Sequence, residues 1–195
     1  MRKWLGGCLA GGVLALFTLP VNAAFEFDGV GLRVAKTTNK FSGMYQQGVS
    51  FSFRRNNPLP KFFYPASLEL TVGRFERGSE NVSFISFGPS FRPEIGWFKD
   101  SRWFFDYGIH PTILRGSKIE PGPGDSADDN LGGDLQFTSH IGIGRYFGKR
   151  REWAAWLRFQ HTSNGRLNTD NPGVDMIALE VSYSFRDVRA RWNNQ

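Results

Sequence analysis

Eight stretches of this chain alternate apolar and polar residues with a period of two, and that alternation limits what the chain can fold into more than any other feature. Successive side chains of a β-strand point to opposite faces, so each stretch reads as a strand with two unlike sides. Between 102 and 115, Trp103, Phe105, Tyr107, Ile109 and Ile113 share one parity, and Arg102, Asp106, His110 and Thr112 share the other. Leu135, Phe137, Ile141, Ile143 and Phe147 likewise oppose Asp134, Gln136, Thr138, His140 and Tyr146. Val30, Leu32 and Val34 oppose Gly29, Gly31 and Arg33, and Val49, Phe51 and Phe53 oppose Ser50 and Ser52. Leu68, Leu70 and Val72 oppose Glu69 and Thr71, while Ile85, Phe87 and Phe91 oppose Phe84, Ser86 and Ser90. Segments 152–163 and 174–186 complete the set.

Each segment approaches or exceeds the roughly 9 to 11 residues that a tilted strand needs to cross a bilayer. An even number of such strands closes into an antiparallel barrel. The bulky Phe, Trp and Ile side chains would crowd the inside of so small a barrel, whereas the opposite set, Gly and Ser mixed with charges, fills a narrow interior. The expected fold is therefore all-β, an eight-stranded antiparallel transmembrane β-barrel with its apolar face toward lipid and Trp and Tyr near its rims. With the first strand entering from the periplasm, the 116–133 segment becomes a long outer loop and Gly148–Arg151 a short inner turn. The 55–65 stretch is long for an inner turn and is expected to fold against the barrel end; the polar 187–195 tail has no assignment.

The N-terminus fits a secretory signal: basic Arg2 and Lys3, an apolar run from Trp4 to about Leu19, and small residues around Ala23. Residues 1–23 are read as a cleaved signal peptide and 24–195 as one barrel domain. Leu5-Gly6-Gly7-Cys8 resembles a lipoprotein box but precedes the apolar region it would need to follow. Cys8 is the single cysteine, so disulfides, thiolate metal sites and a thiol nucleophile drop out of the mature chain. Removing Arg2 and Lys3 lowers the formal charge from +6 to +4, a basic balance that suits anionic lipid head groups. Nucleic acid is not an expected partner, because the basic residues are dispersed.

One segment breaks the pattern. In FQHTSNG, residues 159–165, the parity of Ala155, Leu157 and Phe159 continues into His161 and Ser163, which places both on the lipid side. On the last strand, Ile177, Leu179, Val181, Tyr183 and Phe185 define the same face, and one step back reaches Asp175. These strands are joined by the 164–173 loop, so their loop-proximal ends are neighbours, in the outer leaflet by the strand count. Serine, histidine and a carboxylate sharing one face suit ester chemistry: Ser163 as nucleophile, His161 as general base and then acid, Asp175 orienting the imidazole. Asn164, Gly165 and Asn171 are candidate donors to an oxyanion or positioning groups. The bland alternative is that Ser-Asn-Gly is a turn signal and the polar cluster only solvates a strand end.

At these residues the chain resembles the outer-membrane lipid A 3-O-deacylases of the PagL type. His161-Thr162-Ser163-Asn164-Gly165, then Asn171-Pro172-Gly173 and an acidic residue 14 positions after the histidine, is similar to that family's C-terminal signature, over Phe159 to Phe185. The resemblance implies hydrolysis of the ester-linked 3-hydroxyacyl chain at position 3 of lipid A on the outer wall of the barrel, with no cofactor and no metal. It carries over His161 as base and Ser163 as nucleophile. The family's third member is glutamate, where this chain has Asp175, one methylene shorter; Asp170 in the loop is the alternative, and Glu180 has the wrong parity.

The expected partners are lipid A or lipopolysaccharide as substrate and the outer membrane itself; a homodimer is a compatible assembly. Arg115, Lys118 and Arg166 are candidates to meet lipid A phosphates. The rival readings are a non-enzymatic adhesin or anchor, and a phospholipase or acyltransferase on the same scaffold. His110 and His140 fall on the interior parity, where a buried polar network is expected rather than a metal site. Asp125, Asp128 and Asp129 in the long loop offer at most a loose calcium site.

Overall fold

A computed structural model describes residues 25–38, 43–55, 66–92, 102–116, 118–119, 129–168 and 171–186. The proposed signal, positions 56–65 of the inner connection, Asp125, Asp128, Asp170 and the 187–195 tail lie outside the described residues. The strands are β1 Phe25–Thr37, β2 Tyr45–Arg55, β3 Ala66–Arg77, β4 Glu80–Phe91 and β5 Trp103–Arg115, then the two-residue β6 Lys118–Ile119 and β7 Asp129–Asn130. β8 Leu135–Phe147, β9 Trp153–Ser163 and β10 Val174–Ser184 follow. Eight of them close in the order β1-β10-β9-β8-β5-β4-β3-β2, each antiparallel to its neighbours, while β6 and β7 pair inside the long connection. Closure pairs β1 with β10 from Gly29↔Ser184 to Thr37↔Met176, so neither strand is left as an edge.

The parity argument holds along the wall. Leu32, Val34, Ile85, Ile113, Ile141, Leu157 and Leu179 are exposed on the outside, and Arg33, Ser50, Ser86, Thr112, Thr138 and Arg158 are buried inside. Phe25 and Phe27 face outward with the opposite parity to Val30 because a bulge shifts the register between Phe27 and Gly29. The aromatic rim is concentrated at the end holding both chain termini of the barrel. There Trp153 meets Tyr183 edge-on with centroids 4.9 Å apart, and Phe27 lies 5.4 Å from Phe185. An apolar outer wall bordered by such a belt suits a bilayer and its interface.

The interior is built on charge. Arg158, 0% exposed, donates to Glu69 through two nitrogens at 2.9 Å, to Asp106 at 2.6 Å and to Glu180 at 3.1 Å. Arg33 bonds the same Glu69 and reaches Glu180 at 2.7 Å, where Ser50 also donates at 2.6 Å. Above this network Thr112, Thr138 and Thr162 form a hydroxyl ladder with 2.9 Å steps across β5, β8 and β9. Both ends of the interior are apolar, in contrast to the Gly, Ser and charged filling expected along its length. Phe75, Phe84, Leu114, Met176 and Val174 close the end bearing the long connection; Phe104, Tyr146 and Trp156 close the other. Large rings fit inside because glycine stands beside them: a Cβ on Gly73 would come 2.9 Å from Phe84, and one on Gly144 would come 2.4 Å from both Phe104 and Trp156. Asp134, of interior parity, is exposed instead at the foot of β8, where its carbonyl accepts from Leu114 N at 2.7 Å.

Removing one side of a buried charge cluster leaves the others unpaired in a medium that cannot solvate them. Arg158→Leu is expected to destabilise the barrel by about 3–5 kcal/mol, read from urea unfolding in lipid vesicles. A loss well under 1 kcal/mol would show that the three carboxylates do not depend on this guanidinium.

Candidate active site on the outer wall

β9 turns two unlike faces to its surroundings. Arg158, Gln160 and Thr162 point inward into the network, and the residues between them, Phe159, His161 and Ser163, therefore point outward. The β9–β10 register sets Asp175 directly opposite His161. Their side chains meet at 2.6 Å, with the imidazole Nδ1 donating to the carboxylate Oδ1; they are 44% and 33% exposed. Direct opposition brings Cβ atoms to about 4.5–5.5 Å, short enough for aspartate to span. The backbone carbonyl of Asp175 is itself held by Thr38, whose N–H donates at 2.9 Å and whose hydroxyl donates at 3.3 Å.

Ser163 ends β9 two residues beyond His161, half-buried on the same outward face and opposite Phe137 of β8. The chain then turns tightly: the Asn164 carbonyl accepts from Leu167 N at 3.1 Å across Gly165 and Arg166, both with positive φ, 62° and 67°. Two left-handed residues in succession make a type I′ turn, which glycine adopts freely and arginine does not.

Asn164 is fully buried, and its polar atoms are engaged. Its amide Nδ2 donates to the Gly132 carbonyl at 2.7 Å, its Oδ1 accepts from Arg166 N at 2.9 Å, and its backbone N–H donates to Asn171 Oδ1 at 3.0 Å. Asn168 also donates to Gly132, so the site loop is tied to the long connection before β8. Because the Asn171 oxygen takes an N–H, its amide nitrogen is directed away from Asn164. Asn164 thus acts as a tie between loops; Gly165 is exposed at the turn, and Asn171 is half-buried.

Two neighbours of the histidine lie outside the sequence expectation. Gly173, buried with φ 63°, presses on the imidazole: a Cβ there would lie 2.8 Å from Cε1 and 3.5 Å from Nε2. Ser139 of β8 stands opposite His161 on the side away from Asp175. Its outward parity was readable, but which residue it would oppose was not. Glu180 and the two other histidines are interior. His110 and His140 stack edge to face at 5.0 Å, with His110 near Ser90 and His140 near Asp106. Among the described residues no three His, Cys, Asp or Glu side chains group to hold a metal ion. Arg115 and Arg166 are exposed near this end.

Residues 66–184 match the family model described as "Lipid A 3-O-deacylase (PagL)". The "Lipid A deacylase PagL" of Bordetella bronchiseptica (strain ATCC BAA-588 / NCTC 13252 / RB50) is 29% identical over 93 residues, 48% of this chain and 47% of that protein. The matched stretch thus spans about half the length of that curated relative. Among solved structures, the outer membrane enzyme PagL superposes with a TM-score of 0.55 at 22% identity, covering 80% of this chain and 98% of the other. The N-terminal β-barrel domain of Pseudomonas aeruginosa OprF gives 0.50 at 12% identity, covering 83% and 100%. Neisserial surface protein A gives 0.50 at 10%, covering 82% and 96%. These likenesses show a common eight-stranded fold.

The close approach of Gly173 has a measurable consequence. Gly173→Ala is expected to displace the imidazole and weaken the bond to Asp175, seen as loss or an upfield shift of the low-field Nδ1 proton in NMR spectra of histidine-labelled protein. Gly78→Ala is the control for backbone strain, since Gly78 has φ 58° with nothing within 4 Å of its Cβ direction. An unchanged His161 resonance in Gly173→Ala would show that the glycine does not set the ring's position.

Proposed function

The chain belongs to the lipid A 3-O-deacylase (PagL) family, and from that premise we propose that it is an outer-membrane esterase that removes the 3-hydroxyacyl chain ester-linked at position 3 of lipid A. The observation that carries this reading is the 2.6 Å bond from His161 to Asp175 on the lipid-facing wall, on the same face of β9 that Ser163 occupies. A charge-oriented imidazole gains nothing for a wall that only packs against lipid, and it is what an ester hydrolase needs.

In this mechanism Asp175 fixes the tautomer with the proton on Nδ1, leaving Nε2 to accept the proton of Ser163. The Ser163 oxygen attacks the ester carbonyl carbon, and the negative charge moves to the carbonyl oxygen. The Gly165 N–H and the Asn171 amide are the donors assigned to that oxyanion, because the Asn164 amide is committed to Gly132. Collapse breaks the bond to the sugar oxygen, which takes the proton from His161 and leaves as the free hydroxyl. Water then attacks the acyl-serine with His161 again as base; the fatty acid departs and Ser163 regains its proton.

The loop-proximal ends of β9 and β10 are assigned to the outer leaflet, where lipid A resides, with the signal-directed N-terminus periplasmic. Substrate reaches such a site by lateral diffusion along the wall, since the interior is filled by the charge network. Asp175 takes the place of the family glutamate, supported by its direct opposition to His161.

Purified protein incubated with lipopolysaccharide should yield lipid A lighter by one hydroxyacyl chain in mass spectra. Ser163→Ala and His161→Ala should each lower kcat by about 10⁴-fold or more, and Asp175→Ala by about 10³–10⁴-fold. Undiminished turnover in Ser163→Ala would refute the nucleophile assignment. Release of fatty acid from phospholipid as sole substrate, with lipid A left intact, would reassign the enzyme to a phospholipase.

A further inference from the structure

The polar row on the lipid-facing wall is longer than a triad. In register across five neighbouring segments stand Ile109 of β5, Ser139 of β8, His161, Asp175, and Thr38 just beyond β1. Ser139 is therefore the direct cross-strand neighbour of the histidine on the side opposite the carboxylate. Along its own strand it lies between Phe137 and Ile141 on the outward row, the latter 60% exposed, and across from Ile109, which is also exposed. It is half-buried, with Phe137 and Ile141 on either side along β8, Ile109 across one ladder and His161 across the other, and among the described residues its hydroxyl has no side-chain hydrogen bond.

A hydroxyl facing hydrocarbon is disfavoured unless something pairs with it, and the strand needed no serine here for its own sake. The surroundings define the partner. Whatever crosses Phe137, Ile141 and Ile109 is a hydrocarbon chain, so the partner is a polar group carried on such a chain close to the ester.

We propose that Ser139 is a specificity-determining residue that hydrogen-bonds the hydroxyl on C3 of the acyl chain being removed. This rests on the deacylase reading above. Ser163 opposes Phe137, so Ser139 is its diagonal neighbour, at a separation of about 7–8 Å that is somewhat less between Cβ atoms. An attack distance of about 3 Å, the short run from the carbonyl carbon to the C3 hydroxyl, and a hydrogen bond of about 2.8 Å together span that gap. Held in this way, the chain runs down β8 past Ile141, and its carbonyl carbon sits over Ser163. A chain without the hydroxyl leaves Ser139 unpaired and loses this register. Removing a hydrogen-bond partner from a site built for one is what lets a pocket reject a close analogue.

The test uses the full-length protein in detergent and two synthetic glucosamine esters that differ only in a 3-hydroxyl, a 3-hydroxytetradecanoyl and a tetradecanoyl ester. The wild type should prefer the hydroxylated ester in kcat/KM. Ser139→Ala should reduce that preference by about three- to tenfold. Ser139→Thr, which keeps the hydroxyl, should restore it. An unchanged ratio in Ser139→Ala, or an equal fall for both esters, would overturn the proposal, the latter by showing a structural effect on His161. A wild type that hydrolyses both esters equally overturns the inference and leaves the deacylase reading intact. A wild type that hydrolyses neither ester nor lipid A overturns both.

Discussion

The guanidinium of Arg158 is the fixed point of this barrel. It contacts carboxylates from three other strands, Glu69 of β3, Asp106 of β5 and Glu180 of β10, and so joins parts of the chain up to 89 residues apart. It also settles the orientation of β9. A strand slipped by one residue exchanges its two faces, which would put Arg158 in lipid and His161 in the charge network. The penalty for exposing that charge to hydrocarbon keeps Arg158 inward and, by alternation alone, His161 and Ser163 outward. The site on the wall is thus held in place by the chemistry of the interior.

The same alternation explains how much was legible in the residues alone. Which face each strand turns to lipid, and hence that His161, Ser163 and Asp175 share a side, follows from counting by twos. Which residues oppose one another depends on register, and register is decided by partners distant in sequence. That is why Ser139 passed as a gap in an apolar row, and why the grip of Gly173 on the imidazole had no signature beyond a glycine after a proline. Asn164 read as a donor for the reaction because its amide is polar and adjacent; only the fold reveals that Gly132 holds it. Period-two reasoning puts Phe75, Phe84 and Trp156 on the inner face, but does not disclose the apolar character of the barrel ends, where glycines on adjoining strands make room for their rings.

The scaffold is not what distinguishes this chain. OprF and the neisserial surface protein share the architecture at 12% and 10% identity, so eight closed strands say little about chemistry. The features of this chain that bear on chemistry are one transverse row of side chains near one rim, and the loop latch that ties its turn to the connection before β8. On the proposed reading Asp175 takes the place of the family glutamate, and the register accommodates it: residues directly opposed on adjacent strands need no longer arm to meet.

Placing reactive groups on the outside of a filled barrel also changes what concentration means. A site in a soluble cleft samples a volume; an esterase site on this wall, as proposed, would sample an area, and the quantity governing its occupancy would be the mole fraction of ester in the surrounding leaflet. Adding inert amphiphile at constant total substrate would dilute that surface and slow encounter, although nothing had changed in the bulk. Under the proposed reading, such a wall would act as a reader of lipid composition, sensitive to the company its substrate keeps.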